Sequence, residues 1–363
     1  MSTAAGLAPV VAHGRAQPGM AAPTRLLLLG SGTVGSAFVQ RYLRLRERGL
    51  ELPVLAQLAN SRARVEVDAD PLLALERLRA ASPAWQAPHC EPAPGDIVVD
   101  ATASEAVAAA HPQWLARGVH VVTANKLGRG GPLPRARAVA HACAASGAAY
   151  GDSATVGAGL PLLASVRALL AGGDRIHALE GVLSGSLAWL CNQHDGRQPF
   201  SALVAQAAAA GYTEPDPRID LSGEDVRRKL LILARSAGLE LEAGQVRVES
   251  LVPPELAACG LEQARAGMHL LDAPLAAALE QARREGGSLR FVGRFDRQGA
   301  SVGLRVLAPG HPLAAGAGTD NRVAIHSDRY SEQPLLIQGP GAGAGVTAAA
   351  LLDDVLAVAR RRA

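Results

Sequence analysis

The chain is short of lysine. Two of its 36 basic residues are lysine and all the others are arginine. Arginine has been placed wherever a surface positive charge serves, so Lys126 and Lys229 call for a separate reason. Aromatic residues make up 3% of the sequence. That excludes a base-stacking surface for single-stranded nucleic acid and leaves Leu, Val, Ile and Ala to build the core. The formal charge is only +3 and the arginines are scattered, so no basic stripe marks a nucleic acid partner. Cys90, Cys143, Cys191 and Cys259 lie far apart, with no C-x-x-C pair. That excludes a disulfide framework and a cysteine zinc site, and it suits a reducing, cytoplasmic setting. No apolar run approaches the ~20 residues of a membrane span. Residues 1–24 carry no acid and are rich in Ala, Gly and Pro; they read as a disordered extension outside the fold.

What the sequence does have is bulk and alternation. Its 363 residues, 48% of them apolar, are enough for two domains. Apolar runs at 26–29, 54–59, 97–101 and 119–123 read as strands, and segments 36–48, 71–81, 105–117 and 133–146 as helices. Strands apolar on both faces and alternating with helices predict an α/β domain with a doubly wound parallel sheet over residues 25–150. From residue 151 the texture changes. Helical patterns at 200–210 and 221–237 precede two strand-like runs, 289–296 and 301–307, joined by a glycine turn. These predict an α+β substrate-binding and dimerisation domain over 151–338. Residues 339–363 read as a glycine loop feeding a final helix, which returns to the first domain.

Two segments carry chemistry. Gly30-Ser31-Gly32-Thr33-Val34-Gly35 joins the first strand to the first helix, the context in which a G-x-G-x-x-G pattern cradles a dinucleotide pyrophosphate. It predicts a Rossmann-type site. An ordinary glycine turn is the competing explanation. The second strand ends without a carboxylate for a ribose hydroxyl; Asn60-Ser61-Arg62 follows, and Arg62 suits a 2′-phosphate. This predicts NADP(H) over NAD(H). The other segment runs from Gly211 to Lys229 and holds Glu214, Asp216, Asp220, Glu224 and Asp225. Two prolines make its first half an extended loop. Asp225 and Lys229 are four apart and share a helix face. Ser222 and Asp225 have the spacing of a capping box, so a plain helical ion pair competes with a catalytic pair. The apolar continuation Leu230-Leu231-Ile232-Leu233-Ala234 predicts burial and places Lys229 at the mouth of a cleft. A lysine there can act as general acid and base near neutral pH, which arginine cannot.

With these segments, Thr123-Ala-Asn-Lys126, Ala154-Thr-Val-Gly-Ala-Gly-Leu-Pro161, Gly181-Val-Leu-Ser-Gly-Ser-Leu187 and 339–347 complete a pattern. Over nearly all of residues 25–361 the chain resembles homoserine dehydrogenase. The likeness is greatest to the dehydrogenase half of bifunctional aspartokinase–homoserine dehydrogenases, with no kinase half before it and no regulatory domain after it. The resemblance implies NADP-dependent interconversion of L-homoserine and L-aspartate 4-semialdehyde in threonine and methionine biosynthesis. Lys229 would be the proton donor and acceptor, and Lys126 would lie between nicotinamide and substrate. Glu214 and Asp225 would hold the substrate, with Tyr212 and Asp220 nearby. Thr102, Gly211 and Gly343 would line the cofactor. A sodium-type ion would sit on backbone carbonyls of Ser153, Val156, Ala158 and Leu160, and a homodimer is implied. Ile219 and Ser153 depart from the family pattern, which has Asp at the first place and in some relatives Glu at the second. Another NADP-linked amino acid or aldehyde reductase, and a non-catalytic NADP-binding sensor, remain as alternatives.

Overall fold

The computed structural model describes residues 24–81 and 91–361. Residues 1–23 and Cys90 lie outside the described residues. Two six-stranded sheets organise the chain.

The first sheet contains β1 (Arg25–Leu29), β2 (Val54–Ala59), β3 (Arg64–Glu66), β4 (Ile97–Asp100), β5 (His120–Thr123) and β6 (Tyr150–Gly151), in the order β3-β2-β1-β4-β5-β6. All pairs are parallel except β2 with β3. Its central strands β1, β4 and β5 are apolar through their middles because both faces are covered. Leu26, Leu28, Ile97 and Val99 pack with Phe38 and Val39 of helix Thr33–Glu47 and with Leu351 and Val355 of helix Ala344–Arg360. On the other face lie Leu29, Val98 and Val121, with Leu115 of helix Glu105–Ala116 and Val139 of helix Leu133–Ser146. Strand order reverses between β1 and β4, and such a switch point opens a crevice at the C-terminal strand ends.

The second sheet contains β7 (Ile176–Val182), β8 (Val246–Val248), β9 (Ser288–Asp296), β10 (Gly299–Leu307), β11 (Asp320–Ser327) and β12 (Leu335–Pro340), in the order β12-β11-β7-β9-β10-β8. Every pair is antiparallel except β10 with β8. One face packs on helices Leu162–Ala171, Gly185–Gln193, Phe200–Ala209 and Glu224–Ser236. The architecture is thus a Rossmann-type α/β unit with an α+β unit, as the alternation predicts.

Several boundaries differ from the sequence expectation. The first helix begins at Thr33, inside the glycine motif, and the last at Ala344, inside the glycine loop. The single helix expected over 221–237 is two, Arg218–Leu221 and Glu224–Ser236. Gly223 breaks it at φ +76°, where an added Cβ would sit 2.9 Å from Cζ of Phe291. Gly223, not Ser222, stands at the N-cap. Ser222 Oγ donates to the carbonyl of Ile219 and accepts from Glu224 N–H, so the expected capping box does not form.

Candidate functional site

Two cavities meet at the C-terminal ends of the parallel strands. One, about 870 Å³, is lined by Gly30, Gly32, Asn60, Ser61, Arg64 and Thr102 among others. Its neighbour, about 910 Å³, is lined by Val34, Lys126, Asp225, Lys229, Tyr212, Asp220, Gly211 and Gly343. Ala101, Thr102 and Ala103 border both.

The glycines of the first cavity divide the work. Gly30 turns at φ +106°, with an added Cβ falling 2.8 Å from the carbonyl oxygen of Ala101. On Gly35 a Cβ would lie 1.9 Å from the oxygen of Gly30, so both are required by the fold itself. Gly32 meets nothing within 4 Å and faces open space at the start of the helix. That helix has no acid in its first turn, which leaves its positive end for an anion. The cradle therefore fits a dinucleotide: two glycines shape it and the third keeps the approach clear.

Asn60 donates through Nδ2 to Ser31 Oγ at 3.1 Å and accepts from the N–H groups of Arg62 and Ala63 at 2.8 and 2.9 Å. It thereby locks the turn after β2. The Arg62 side chain is exposed and is not among the cavity-lining residues, whereas Arg64 is. Arg79, from helix Pro71–Ala80, reaches the carbonyl of Ser31 at 3.3 Å and the hydroxyl of Ser36. Spacing in the sequence gave no sign of Arg64 or Arg79.

A buried network fixes the wall between the cavities. Asp100 closes β4, is fully buried, and accepts from Thr102 N–H at 2.9 Å and Thr102 Oγ1 at 2.6 Å. His111 Nε2 lies 3.0 Å from Asp100, and its Nδ1 lies 3.1 Å from the hydroxyl of Tyr150. Burial, reinforced by Asp152, pushes the Tyr150 hydroxyl well above its ordinary value. Tyr150 therefore remains a donor, and a neutral imidazole satisfies both contacts. Asn125 bonds Ser104 O and Leu127 N at 2.9 and 3.1 Å, which fixes the backbone on either side of Lys126. The acid closing Ile97-Val-Val-Asp100 was the one signal in the sequence that could have revealed this network.

The lysines converge. Lys229 Nζ donates to the carbonyl of Leu183 at 2.7 Å and pairs with Asp225 Oδ2 at 2.9 Å. Lys126 Nζ lies 3.4 Å from the other oxygen, Asp225 Oδ1. Lys229 is buried and Lys126 partly so. Burial opposes ionisation of Asp225, but the two ammonium groups outweigh it and hold the carboxyl well below the usual range.

The loop before this helix is less committed. Asp220 lines the cavity and accepts from Ser186 Oγ at 2.7 Å and Glu214 N–H at 2.8 Å. Tyr212 packs against Trp189 with ring centres 5.3 Å apart and planes tilted by 40°. Glu214 is exposed and is not among the lining residues, and Asp216 pairs with Arg218 instead. Of the residues expected to hold a cation, Ala158 lines the cavity and has φ +49°, uncommon for a residue with a side chain. Ser153 is tied to Asp354 through its N–H and hydroxyl at 2.9 and 2.8 Å, and the Leu160 carbonyl accepts from Leu162 N–H.

The chain matches the family model for the homoserine dehydrogenase NAD-binding domain over residues 30–148 and that for homoserine dehydrogenase over residues 161–356. It is 43% identical over 269 residues to a chloroplastic bifunctional aspartokinase/homoserine dehydrogenase 2 of Zea mays, covering 73% of this chain and 29% of that protein. The chain thus spans less than a third of that bifunctional relative's length. Against a homoserine dehydrogenase of Emericella nidulans it is 35% identical over 368 residues, covering 94% of this chain and 100% of the relative. A hyperthermophilic archaeal homoserine dehydrogenase solved in complex with NADPH has the same fold, with a TM-score of 0.69 at 21% identity, over 93% of this chain and 98% of that one. With both family models spanning the two units, and an end-to-end relative at this identity, the chain belongs to the homoserine dehydrogenase family.

Proposed function

We propose that this protein interconverts L-homoserine and L-aspartate 4-semialdehyde, with NADP(H) as hydride carrier and Lys229 as acid and base, in threonine and methionine biosynthesis. The observation that carries this is the meeting of both lysines on one carboxylate in the cavity beside the glycine cradle. When bound, the nicotinamide supplies hydride in reduction and takes it in oxidation. The chain's own residues handle the proton. An ammonium has three N–H bonds. Lys229 directs two of them at Leu183 O and Asp225, which leaves the third for the substrate oxygen. After donating it, the neutral amine keeps both acceptors, and its lone pair points where the proton left. In the reverse direction that lone pair takes the hydroxyl proton. Asp225 stays ionised and balances the charge of Lys229 whenever it forms. Lys126 steadies the same carboxylate and adds positive charge where the aldehyde oxygen becomes negative.

For the substrate ammonium, Glu214 is the carboxylate we assign. Asp225 is committed to the lysines, and Asp220 already accepts two hydrogen bonds. Glu214 lies two residues from cavity-lining Tyr212, its N–H anchored on Asp220. NADP(H) is favoured by the absence of an acid after β2 and by the arginines Arg62, Arg64 and Arg79 around that turn. The NADPH named for the archaeal neighbour supports the same choice. The left-handed turn at Ala158 supports a sodium-type ion on the carbonyls of Ser153, Val156, Ala158 and Leu160, since hard oxygens suit such ions. A homodimer through the second sheet is supported by edge strand β12, whose Leu336 is exposed.

NADPH oxidation with aspartate 4-semialdehyde as sole added substrate tests the proposal. Saturable turnover, slower with NADH, is expected. Turnover only with other aldehydes would point to a different reductase, and NADPH binding without turnover to a sensor.

A further inference from the structure

Asn321 sits where three pieces of the site meet. β11 pairs with β7 on one side, through Arg322 and Val182, and with β12 on the other, through Asn321 and Gly339. At this end of the sheet β7 runs on into Leu183, and β12 runs on into the glycine loop. Asn321, near the start of β11, is therefore placed between those two exits. The residue is 1% exposed. Nδ2 donates to the carbonyl of Leu183 at 3.3 Å, the same oxygen that accepts from Lys229 Nζ at 2.7 Å. On the loop side, a Cβ added to Gly341 would sit 2.0 Å from Asn321 Cγ and 2.3 Å from Oδ1 and Nδ2. Gly341, with Ala342 and Gly343, lines the cavity that holds the lysines. Asn321 Oδ1 is buried without a hydrogen-bond partner among the described residues. A leucine, with the same branching, would bury no unsatisfied oxygen, so an amide here calls for a role that only its donor can fill.

We propose that Asn321 is a positioning residue for proton transfer. It fixes the Leu183 carbonyl that orients the Lys229 amine, and it sets the separation of that amine from the Gly341–Gly343 wall. A carbonyl oxygen has two lone pairs, and here one serves each donor. With Asn321 gone, the Leu183 carbonyl is free to tilt, and the third N–H of Lys229 loses its fixed direction. The carboxamide also lies against Gly341, so the proton donor and the opposite wall are referred to the same rigid group. The proposal rests on Lys229 acting as acid and base.

The test uses the full chain with NADPH and aspartate 4-semialdehyde, and compares Asn321→Ala, Asn321→Asp and Lys229→Met. Loss of alignment alone lowers kcat in Asn321→Ala by ~10- to 100-fold, while KM and the NADPH Kd, read from its fluorescence, change by less than about threefold. The isosteric Asn321→Asp has no donor when ionised. Its kcat relative to wild type should be highest while the carboxyl is protonated and donates to Leu183, and should fall to the Asn321→Ala level as rising pH ionises it. Wild-type kcat in Asn321→Ala at neutral pH overturns the proposal, as does an Asn321→Asp kcat that tracks wild type over the whole pH range. So does a loss of NADPH binding and thermal stability in step with kcat, with no recovery of Asn321→Asp at low pH. If Lys229→Met is active, the acid–base reading itself fails. If Lys229→Met is inactive while Asn321→Ala is normal, only the role of Asn321 fails.

Discussion

The two cavities are shaped by opposite means. Around Gly30 and Gly35 the backbone does the work, and side chains matter by being absent. Around Asp225 three charged side chains do the work, on a backbone that a buried helix and the Asp100 network hold still. A backbone site should fail when atoms are added, and a side-chain site when a proton or a donor is removed.

Lys229→Arg gives the largest expected effect. It keeps the charge but cannot exchange a proton, so kcat should fall ~100- to 10,000-fold with the NADPH Kd almost unchanged. Near-normal turnover would remove Lys229 from the chemistry and dissolve the contrast. The glycines sharpen it from the other side. Gly32→Ala places its methyl in open space, so thermal stability should hold while NADPH affinity drops by about 10- to 100-fold, because the methyl meets the pyrophosphate. Gly35→Ala puts a methyl onto the Gly30 carbonyl and should lower Tm by roughly 3–10 °C before any cofactor is added. Calorimetry on the two apo variants separates these outcomes, and equal Tm losses would mean that Gly32 is also structural.

Cofactor choice should show a smaller effect. Arg64→Ala is expected to weaken NADPH about tenfold and NADH about twofold or less, as the loss of one charge-assisted contact would. Arg62→Ala, its side chain exposed, should do less. The reverse ranking would return the 2′-phosphate to Arg62. The smallest effect concerns Asp225. Its folded-state pKa lies below the unfolded value, so its stabilisation is fully present above about pH 4 and is lost as pH falls through the folded value. Because the carboxylate is 38% exposed, solvent screening limits the effect. Asp225→Asn should lower Tm by about 2–4 °C at neutral pH, with the gap closing only below pH 4. A gap that closes between pH 7 and 5 would show that the lysines do not hold the carboxylate ionised.

The first sheet was largely legible because burial on both faces writes itself as unbroken apolar runs. The second was not. β7, β11 and β12 carry His, Glu, Asp, Asn, Arg and Gln among their apolar residues, and their identity as strands depends on partners far along the chain. Lys229 and Asp225 were legible through their spacing of four. Their convergence with Lys126 was not, since nothing local in Thr123-Ala-Asn-Lys126 encodes a contact with a helix a hundred residues on. The break at Gly223 was hidden for a related reason, because the pressure of Phe291 that requires a glycine there comes from β9. Asn321 reads in isolation as an ordinary polar residue at a strand end.

Concentrating both lysines at one carboxylate also makes the site addressable. Every ε-amine of this chain lies in a single cavity. Labelling with isotopic lysine would give a spectrum of two side-chain signals, both from that cavity and neither obscured by surface residues. An amine-selective reagent small enough to enter the cavity would, apart from the chain's own N-terminus, mark only the two lysines that line it. The depletion of lysine elsewhere therefore gives the molecule a built-in reporter, whose two resonances should separate as proton, substrate and cofactor come and go.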